Sequence, residues 1–229
     1  MSADSGLPTY RGVGGLYDGQ STDDGIAIED ALSIGVFRNR PELSWKYLWQ
    51  IADACRGAKP NPAHQSIAKL ETEKDNIVVM TQNVDGLHRK AGTRNLIEVH
   101  GNAQQLLCTA CSFRTTEADL LSILGDNANQ PLPPRCPNCD SPLRPDVVLF
   151  GEMLSENTQR QLLEMTISKF DLVFSIGTSS LFPYITEPIR RAKMIGVPTI
   201  EINPGSTEIS QIVDYHFKSG AAETMVKLV

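Results

Sequence analysis

Long apolar runs and a secretion signal are both missing from this 229-residue sequence. The longest apolar runs, such as 77–80 and 147–150, are far shorter than the roughly 18 residues that a membrane-spanning helix needs. Residues 1–11 are polar and lack the apolar centre of a signal peptide. We therefore expect a cytoplasmic protein without a membrane partner.

Basic residues are also too few and too scattered for a nucleic-acid surface. The chain has 21 Lys and Arg against 27 Asp and Glu, which gives a formal net charge of −6. Nucleic-acid binding needs clustered cations, so we expect no nucleic-acid partner. A hydrophobic fraction of 41% and a charged fraction of 21% are ordinary for a globular chain. The length predicts one large domain, or a core with a small insert.

Cysteine is scarce, but four of the five cysteines form two C-x-x-C pairs. Cys108 pairs with Cys111 and Cys136 with Cys139, a spacing typical of a tetrahedral zinc site. Two disulfides or unrelated thiols are the alternative, and disulfides are rare without a secretory signal. Because four thiolates close the coordination sphere, the predicted single zinc ion is structural. Cys55 stands alone in a helical pattern and is predicted to lie in the core.

Short runs rich in β-branched residues alternate with helical patterns along the chain. The sequence predicts strands at 76–81, 171–176 and 198–203, and helices at 41–56, 62–73, 155–169 and 183–195. This alternation predicts an α/β fold with a doubly wound parallel sheet, which binds ligands at the carboxyl ends of its strands. The cysteine-bearing segment 108–144, which has a short helical pattern at 117–124, interrupts the alternation and is predicted to be a zinc-ribbon insert.

Polar residues follow two of the predicted strands. Gln82, Asn83 and Asp85 come after the first and suit a sugar or carboxamide ligand, although a capped loop explains them equally well. His100 ends another strand immediately before Gly101. By itself such a histidine is either structural or catalytic.

Two further turns have residues that suit a nucleotide. The segment 177–179, Gly-Thr-Ser, leads from a strand into a helix, where small residues let backbone N–H groups approach a phosphate. The segment 203–205, Asn-Pro-Gly, follows the next strand, at a place suited to ribose or adenine contacts.

Taken together and in this order, these motifs closely resemble those of the sirtuin family of NAD-dependent protein deacylases. The resemblance covers nearly the whole chain, through the cysteine pairs and the segments 5–12, 81–88, 99–101, 147–152, 177–179 and 202–204. It implies a Rossmann-like NAD-binding domain, here 1–107 with 145–229, and a small zinc-bearing domain at 108–144. NAD and an acyl-lysine protein or peptide would bind in the cleft between them.

The resemblance also implies roles for individual residues. His100 matches the general base that acts on the ribose hydroxyls of NAD while an acetyl or other neutral acyl group leaves lysine as O-acyl-ADP-ribose. Residues that match or lie beside the family's NAD contacts are Ala3, Tyr10, Arg11, Gln82, Asn83, Val84, Asp85, Gly177, Thr178, Ser179, Asn203, Pro204, Gly205 and Ala221. The strand that pairs with the substrate peptide would comprise Val147, Val148, Leu149, Phe150 and Gly151.

The sequence departs from the family pattern in three places. Sirtuins have a first strand and a Gly-Ala-Gly turn ahead of the position of Ser2, and without this central strand we expect weak NAD binding. The alternative function is therefore a catalytically impaired, zinc-containing binding protein of sirtuin ancestry. Tyr10 stands where Phe is usual. Leu48 and Ile51 stand where the branch that prefers acidic acyl groups has Tyr and Arg, which predicts a preference for neutral acyl groups.

Overall fold

The computed structural model describes residues 1–8, 22–115, 123 and 131–229. The candidate residues Tyr10 and Arg11, and all but one residue of the predicted helix at 117–124, lie outside the described residues. A short 3-10 helix spans Ser2–Ser5. The α-helices are α1 (Ile28–Ala31), α2 (Ile34–Asn39), α3 (Pro41–Gly57), α4 (Pro62–Glu73), α5 (Leu87–Lys90), α6 (Glu156–Ile167), α7 (Pro183–Met194) and α8 (Ala221–Leu228).

Local capping explains where the longer helices begin. The Asn61 side chain accepts hydrogen bonds from the backbone N–H groups of Ala63 and His64, and Pro62 occupies the first helical position of α4. Ser155 caps α6 in the same way by accepting from the Thr158 N–H. The helix predicted at 62–73 is confirmed over its full length, and the other three predicted helices are confirmed with small shifts at their ends.

The strands are shorter than the sequence predicts. They are β1 (Val79–Thr81), β2 (Leu96–Glu98), β3 (Gly101–Cys108), β4 (Leu143–Val147), β5 (Val173–Ile176), β6 (Thr199–Ile202) and β7 (Tyr215–Phe217). The apolar residues that precede β1 and β5 lie outside the hydrogen-bonded ladders, which explains the shift of the predicted strand starts.

The strands pair in three groups within the described part of the chain. β1 pairs with β2 in parallel, and β5, β6 and β7 form a parallel three-stranded sheet in that order. β3 and β4 form an antiparallel ladder with an irregularity between Asn102 and Leu106. The predicted α/β class with parallel strands is confirmed, and the strands lie in separate sheets.

The 3-10 segment Ser2–Ser5 and Met1 lie beside the carboxyl ends of both parallel sheets. The Ser2 hydroxyl donates to Asp85, which follows β1, at 2.5 Å. A Cβ built on Gly177, which follows β5, would lie 2.6 Å from the Met1 nitrogen. The segment therefore connects the two regions in which the sequence predicts ligand contacts.

Three apolar clusters hold these elements together. The largest packs α3 against β3 and β4, with Trp45 fully buried and its indole N–H donating to the Leu143 carbonyl at 2.6 Å. The second joins α4 and α8 to β6, and the third joins α6 to β2. In the described part of the chain, no helix combines the length and the apolar character needed to cross a membrane.

Candidate active site

Side chains from three strand ends meet at Thr178. The Gln82 amide, after β1, donates to the Thr178 hydroxyl at 2.8 Å. The Asn203 amide, after β6, donates to the Thr178 carbonyl at 2.9 Å, and Asn203 in turn accepts from the Gly205 N–H at 3.1 Å. Four residues that the sequence analysis selected separately therefore form one hydrogen-bonded network, at the edge where parallel sheets bind ligands.

The other predicted residues of these turns lie around the same network. Gly177 has a φ of +59° and donates its N–H to the Ile202 carbonyl at 2.8 Å, which ties the end of β5 to the end of β6. Ser179 and Pro204 are exposed beside it. Ala221 is buried at the first position of α8.

The loop after β1 places a buried carboxylate near the chain's first residues. Asp85 is 4% exposed and accepts from the Leu87 N–H at 2.9 Å as well as from the Ser2 hydroxyl. Ala3 follows Ser2 at an exposed position. The loop is held to β3 because the Ala103 N–H donates to the Val84 carbonyl at 2.8 Å.

A cavity of about 110 Å³ opens beside Asn83, Val84 and Asp85. Its lining from α3 comprises Tyr47, Gln50, Ile51, Ala54 and Cys55, so Gln50 and the Tyr47 hydroxyl are its polar groups on that helix. Burial raises the pKa of the Cys55 thiol to about 12, so this cysteine stays neutral, as expected for a core residue. The cavity thus has a few polar groups in a mostly apolar lining, as small-ligand pockets commonly do.

Only one of the two predicted acyl-selecting residues reaches this cavity. Ile51 lines it, whereas Leu48 is 4% exposed and packs in the largest apolar cluster. Tyr47 takes a place in the cavity wall, and its hydroxyl donates to Asp24. Tyr47 and Ile51 are four residues apart and so lie on one face of α3, whereas Leu48 is turned from Tyr47 by one helical position and packs in the core.

His100 lies in the turn between β2 and β3. Its carbonyl accepts from the Val148 N–H at 2.9 Å, and its Nε2 lies 2.9 Å from the Tyr184 hydroxyl oxygen. Burial lowers the pKa of His100 below its usual value, and a hydrogen bond with the Gln82 backbone partly opposes that shift. The imidazole is therefore held mainly neutral at pH 7, the form that accepts a proton.

Sequence reasoning missed two aromatic neighbours of His100. Phe182 packs edge-on against the imidazole, with ring centroids 5.7 Å apart, and stacks on Tyr184 at 5.4 Å. Both flank Pro183, the first residue of α7. A sequence signal existed, because two aromatic residues closely follow a predicted strand-to-helix turn at the ligand edge of the sheet.

The predicted peptide-binding segment 147–151 is continuous with His100 through the Val148 hydrogen bond. β4 ends at Val147, the first residue of the segment. The Phe150 N–H then donates to the Leu32 carbonyl at 3.0 Å, and the Phe150 carbonyl accepts from the Ile34 N–H at 2.9 Å. These bonds fix the segment between His100 and the start of α2.

The segment is also held from its far end. The Glu152 carboxylate accepts from the Leu149 N–H at 3.0 Å and from the buried guanidinium of Arg144 at 2.7 Å. The Arg144 guanidinium additionally donates to the Val147 carbonyl at 2.9 Å. An ion pair within β4 and the turn that follows it therefore sets the path of the segment.

The four paired cysteines converge on one point. Their sulfur atoms all lie within 4.8 Å of one another, with Cys108 and Cys139 3.4 Å apart and Cys111 and Cys136 3.7 Å apart. Zinc bonds of about 2.3 Å in a tetrahedron place sulfur atoms roughly 3.8 Å apart, so the donor set and its spacing fit Zn²⁺. The predicted metal centre, able to hold one zinc ion, is confirmed as a cluster.

Parallel strands whose ends share one polar network are the arrangement that nucleotide-binding α/β proteins use. The chain belongs to the Sir2 family, whose model matches residues 1–182.

Two relatives and one solved structure illustrate the similarity. The chain is 47% identical to NAD-dependent protein deacylase 2 of Pseudomonas syringae pv. tomato, over 100% of this chain and 90% of that protein. It is 40% identical to the NAD-dependent protein deacylase of Pyrococcus furiosus, over 100% of this chain and 88% of that protein. It superposes on a Sir2 homologue in complex with NAD with a TM-score of 0.82 and 34% identity, covering 99% of this chain and 83% of that structure.

Proposed function

We propose that this chain uses NAD to remove acyl groups from lysine side chains of proteins. The observation that carries the proposal is the network of Gln82, Thr178 and Asn203 at three strand ends, beside a neutral His100. Full-length identity of 47% to a protein named as an NAD-dependent deacylase supports it. The same similarity favours an enzyme over a catalytically impaired binding protein.

The candidate residues divide the binding of NAD among three regions. We assign the nicotinamide end to the cavity beside Asn83, Val84 and Asp85, and a ribose to Gln82. We assign the phosphates and the adenosine to the turns after β5 and β6, with Ala3 and Ala221 beside them. NAD supplies nicotinamide as the leaving group and ADP-ribose as the acceptor of the acyl group.

Within this assignment His100 is the general base. Its ring accepts a proton from a ribose hydroxyl, and the lowered pKa keeps that ring in the accepting form at pH 7. The acyl-lysine peptide would lie along Val147, Val148, Leu149, Phe150 and Gly151, which a backbone hydrogen bond joins to His100.

The domain division follows the same assignment. We propose that 108–144 forms the zinc-bearing insert and that 1–107 with 145–229 forms the NAD-binding unit. The four metal ligands lie at the far end of the β3–β4 ladder, away from the parallel strands. A cluster of four free thiols suits a reducing compartment, which supports a cytoplasmic location.

Substitution of His100 tests the function directly. We expect His100→Ala to lower deacylation of an acetyl-lysine peptide by a factor of about 10² to 10⁴, because general-base catalysis contributes that much. NAD affinity, measured by calorimetry, should remain within about twofold, since the imidazole is not the main anchor of the dinucleotide. A variant that still turns over peptide at the wild-type rate would exclude His100 as the base.

Acyl preference provides a second prediction. In the part of the chain that the structure describes, the cavity lining around Ile51 holds no cation for an acidic acyl group, and a buried unpaired charge costs several kcal/mol. We therefore expect kcat/KM for acetyl-lysine to exceed that for succinyl-lysine by more than about 100-fold, measured on matched peptides.

The matched variant for this comparison is Ile51→Arg. This variant should bring the kcat/KM values of the two peptides closer together, because the added cation should improve succinyl-lysine turnover and lower acetyl-lysine turnover. A wild-type preference for succinyl-lysine would show that another residue supplies the missing cation and would refute the assignment.

A further inference from the structure

The N-terminal segment, residues 1–8, supplies one wall of the cavity beside Asp85. Ser2, Leu7 and Pro8 line the cavity. The Ser2 hydroxyl also donates to the Asp85 carboxylate at 2.5 Å. The regular structure of the segment is a single 3-10 turn, Ser2–Ser5. Because one such turn has little stability by itself, contacts with other elements must hold this wall in place.

The side chain of Asn61 holds both ends of that turn. Its amide nitrogen Nδ2 donates to the Met1 carbonyl at 2.9 Å and to the Ser5 hydroxyl oxygen at 2.9 Å. Its amide oxygen Oδ1 accepts from the backbone N–H groups of Ala63 and His64 at 3.0 Å and 3.4 Å. A backbone carbonyl only accepts and a backbone N–H only donates, so these partners fix the orientation of the amide.

The position of Asn61 is in turn fixed by the helix that it caps. Asn61 is 5% exposed, and its backbone N–H donates to Nδ1 of His64 at 3.3 Å, which completes a capping box at the start of α4. Ala63 and Ile67 of this helix are buried in the cluster that joins α4 and α8 to β6. The amide is therefore a fixed point to which the N-terminal segment is bound.

We infer that Asn61 is a positioning residue that places Ser2 against Asp85 and so sets one wall of the NAD cavity. Asn61 does not line the cavity, so it acts through the N-terminal segment. The inference rests on the proposed function, in which this cavity takes the nicotinamide end of NAD. Without the amide donor, the binding of NAD has to order the segment as well, and this ordering weakens the affinity.

The test is a pair of substitutions, Asn61→Asp and Asn61→Ser. Aspartate and serine cap helices about as well as asparagine, so α4 keeps its start, but neither has an amide N–H to donate. Aspartate keeps the size of the side chain and serine avoids a new charge, so agreement between the two variants isolates the loss of the donor. NAD affinity, measured by calorimetry, should fall about five- to tenfold in both variants.

Kinetics distinguish positioning from a simple loss of folded protein. In both variants KM for NAD should rise by about the same factor, whereas kcat and KM for the acyl-lysine peptide should change less than about twofold. A loss of folded enzyme would instead lower kcat and leave both KM values unchanged.

Hydrogen exchange gives a readout that does not depend on activity. The N–H groups of Asp4, Gly6 and Leu7 donate to carbonyls within the N-terminal segment. Their exchange, followed by rapid mixing, should be faster in both Asn61 variants, because the turn is no longer bound to α4. The amides of α4 should exchange as in the wild type, since the helix keeps its cap.

The matched control is Asn39→Asp. The Asn39 amide donates to the Gly35 carbonyl at 2.8 Å at an exposed position on α2, so the same chemical change is made away from the segment. This control should leave NAD affinity and exchange in the segment unchanged. Wild-type NAD affinity in the two Asn61 variants would overturn the inference, and so would wild-type exchange rates in the segment.

A further variant, Ser5→Ala, removes one of the two acceptors and leaves Asn61 and α4 unchanged. It should weaken NAD binding about two- to threefold, so the inference stays testable if an Asn61 variant fails to fold. Failure of the proposed function is a separate outcome. If the wild type bound NAD but removed no acyl group, the NAD affinity and the exchange rates of the variants would still decide whether Asn61 positions the segment.

Discussion

At the scale of single residues, Gly101 is the position that allows His100 to face the site. It has a φ of +81°, and a Cβ built on it would lie 1.9 Å from the Asp146 carbonyl oxygen. A side chain therefore meets both a disfavoured backbone conformation and the backbone of β4. Because residue 101 is glycine, β3 can pair with β4 from the residue that directly follows His100.

Gly101→Ala should destabilise the fold by more than about 3 kcal/mol, because the overlap is with backbone that cannot turn away. The matched control is Gly92→Ala, whose φ is +100° but whose Cβ would meet nothing within 4 Å. In that control the free energy of unfolding should fall by only about 1 to 2 kcal/mol, because of backbone strain. Urea unfolding measures the free energy of unfolding of both variants. An equal decrease in the two variants would show that the contact with Asp146 does not matter.

At the scale of elements, the β3–β4 ladder ends at the metal centre. Cys108, the last residue of β3, pairs with Leu143, the first residue of β4, and the Thr109 N–H donates to the Pro142 carbonyl at 3.1 Å. The second pair is shaped by its own turn, in which the Cys136 N–H donates to the Ser141 carbonyl at 2.8 Å. A metal ion held by all four cysteines would therefore join the turn that follows β3 to the turn of the second cysteine pair.

Zinc analysis should find one zinc ion per chain, and chelation should unfold at least the insert. Structural zinc contributes on the order of 10 kcal/mol of apparent binding free energy. Cys136→Ser should lose the metal and lower the melting temperature. Cys55→Ser, at an equally buried cysteine outside the cluster, should retain it. Well under one zinc per chain in a normally folded wild type would contradict the assignment.

At the scale of the whole molecule, two buried histidines make folding sensitive to acid. His64 on α4 and His88 on α5 lie with ring centroids 4.8 Å apart and are 0% and 5% exposed. Burial lowers the pKa of each to about 4, and for His64 the neighbouring His88 adds to the shift. Both rings are therefore neutral in the folded protein at pH 7.

The free energy of unfolding should fall as the pH drops from about 6.5 towards 4. In that window the unfolded chain, whose histidines have a pKa of about 6.5, binds protons that the folded chain excludes. Above pH 6.5 the histidines are neutral in both states, so the full free energy of unfolding is present. Protonation of each histidine at low pH lowers this free energy by roughly 3 kcal/mol at most. Urea midpoints at pH 7.5 and 5.0 measure the loss. The His88→Gln variant should lose less stability between these two pH values than the wild type. An equal loss of stability in the variant and in the wild type would contradict the role of the histidine pair.

Much of the fold and of the candidate site follows from local sequence. Asn61 with Pro62 predicts the start of α4 because a cap and a proline act within one turn. The strand positions are predicted less well, since a run of apolar residues does not show which of them will be hydrogen-bonded. Tyr184 could not be assigned to His100 from the sequence, because that contact depends on how α7 packs against α6 and β5.

The sequence by itself determined the four zinc ligands, the helix starts and the polar residues that follow the strands. These depend on spacing and chemistry within a few residues, which the printed sequence shows directly. Only the tertiary structure decided that Gln82 meets Thr178, that His100 meets Tyr184, and that Ile51 rather than Leu48 lines the cavity. Such contacts join positions as many as 96 residues apart, and they arise from the packing of whole elements, which no local pattern specifies.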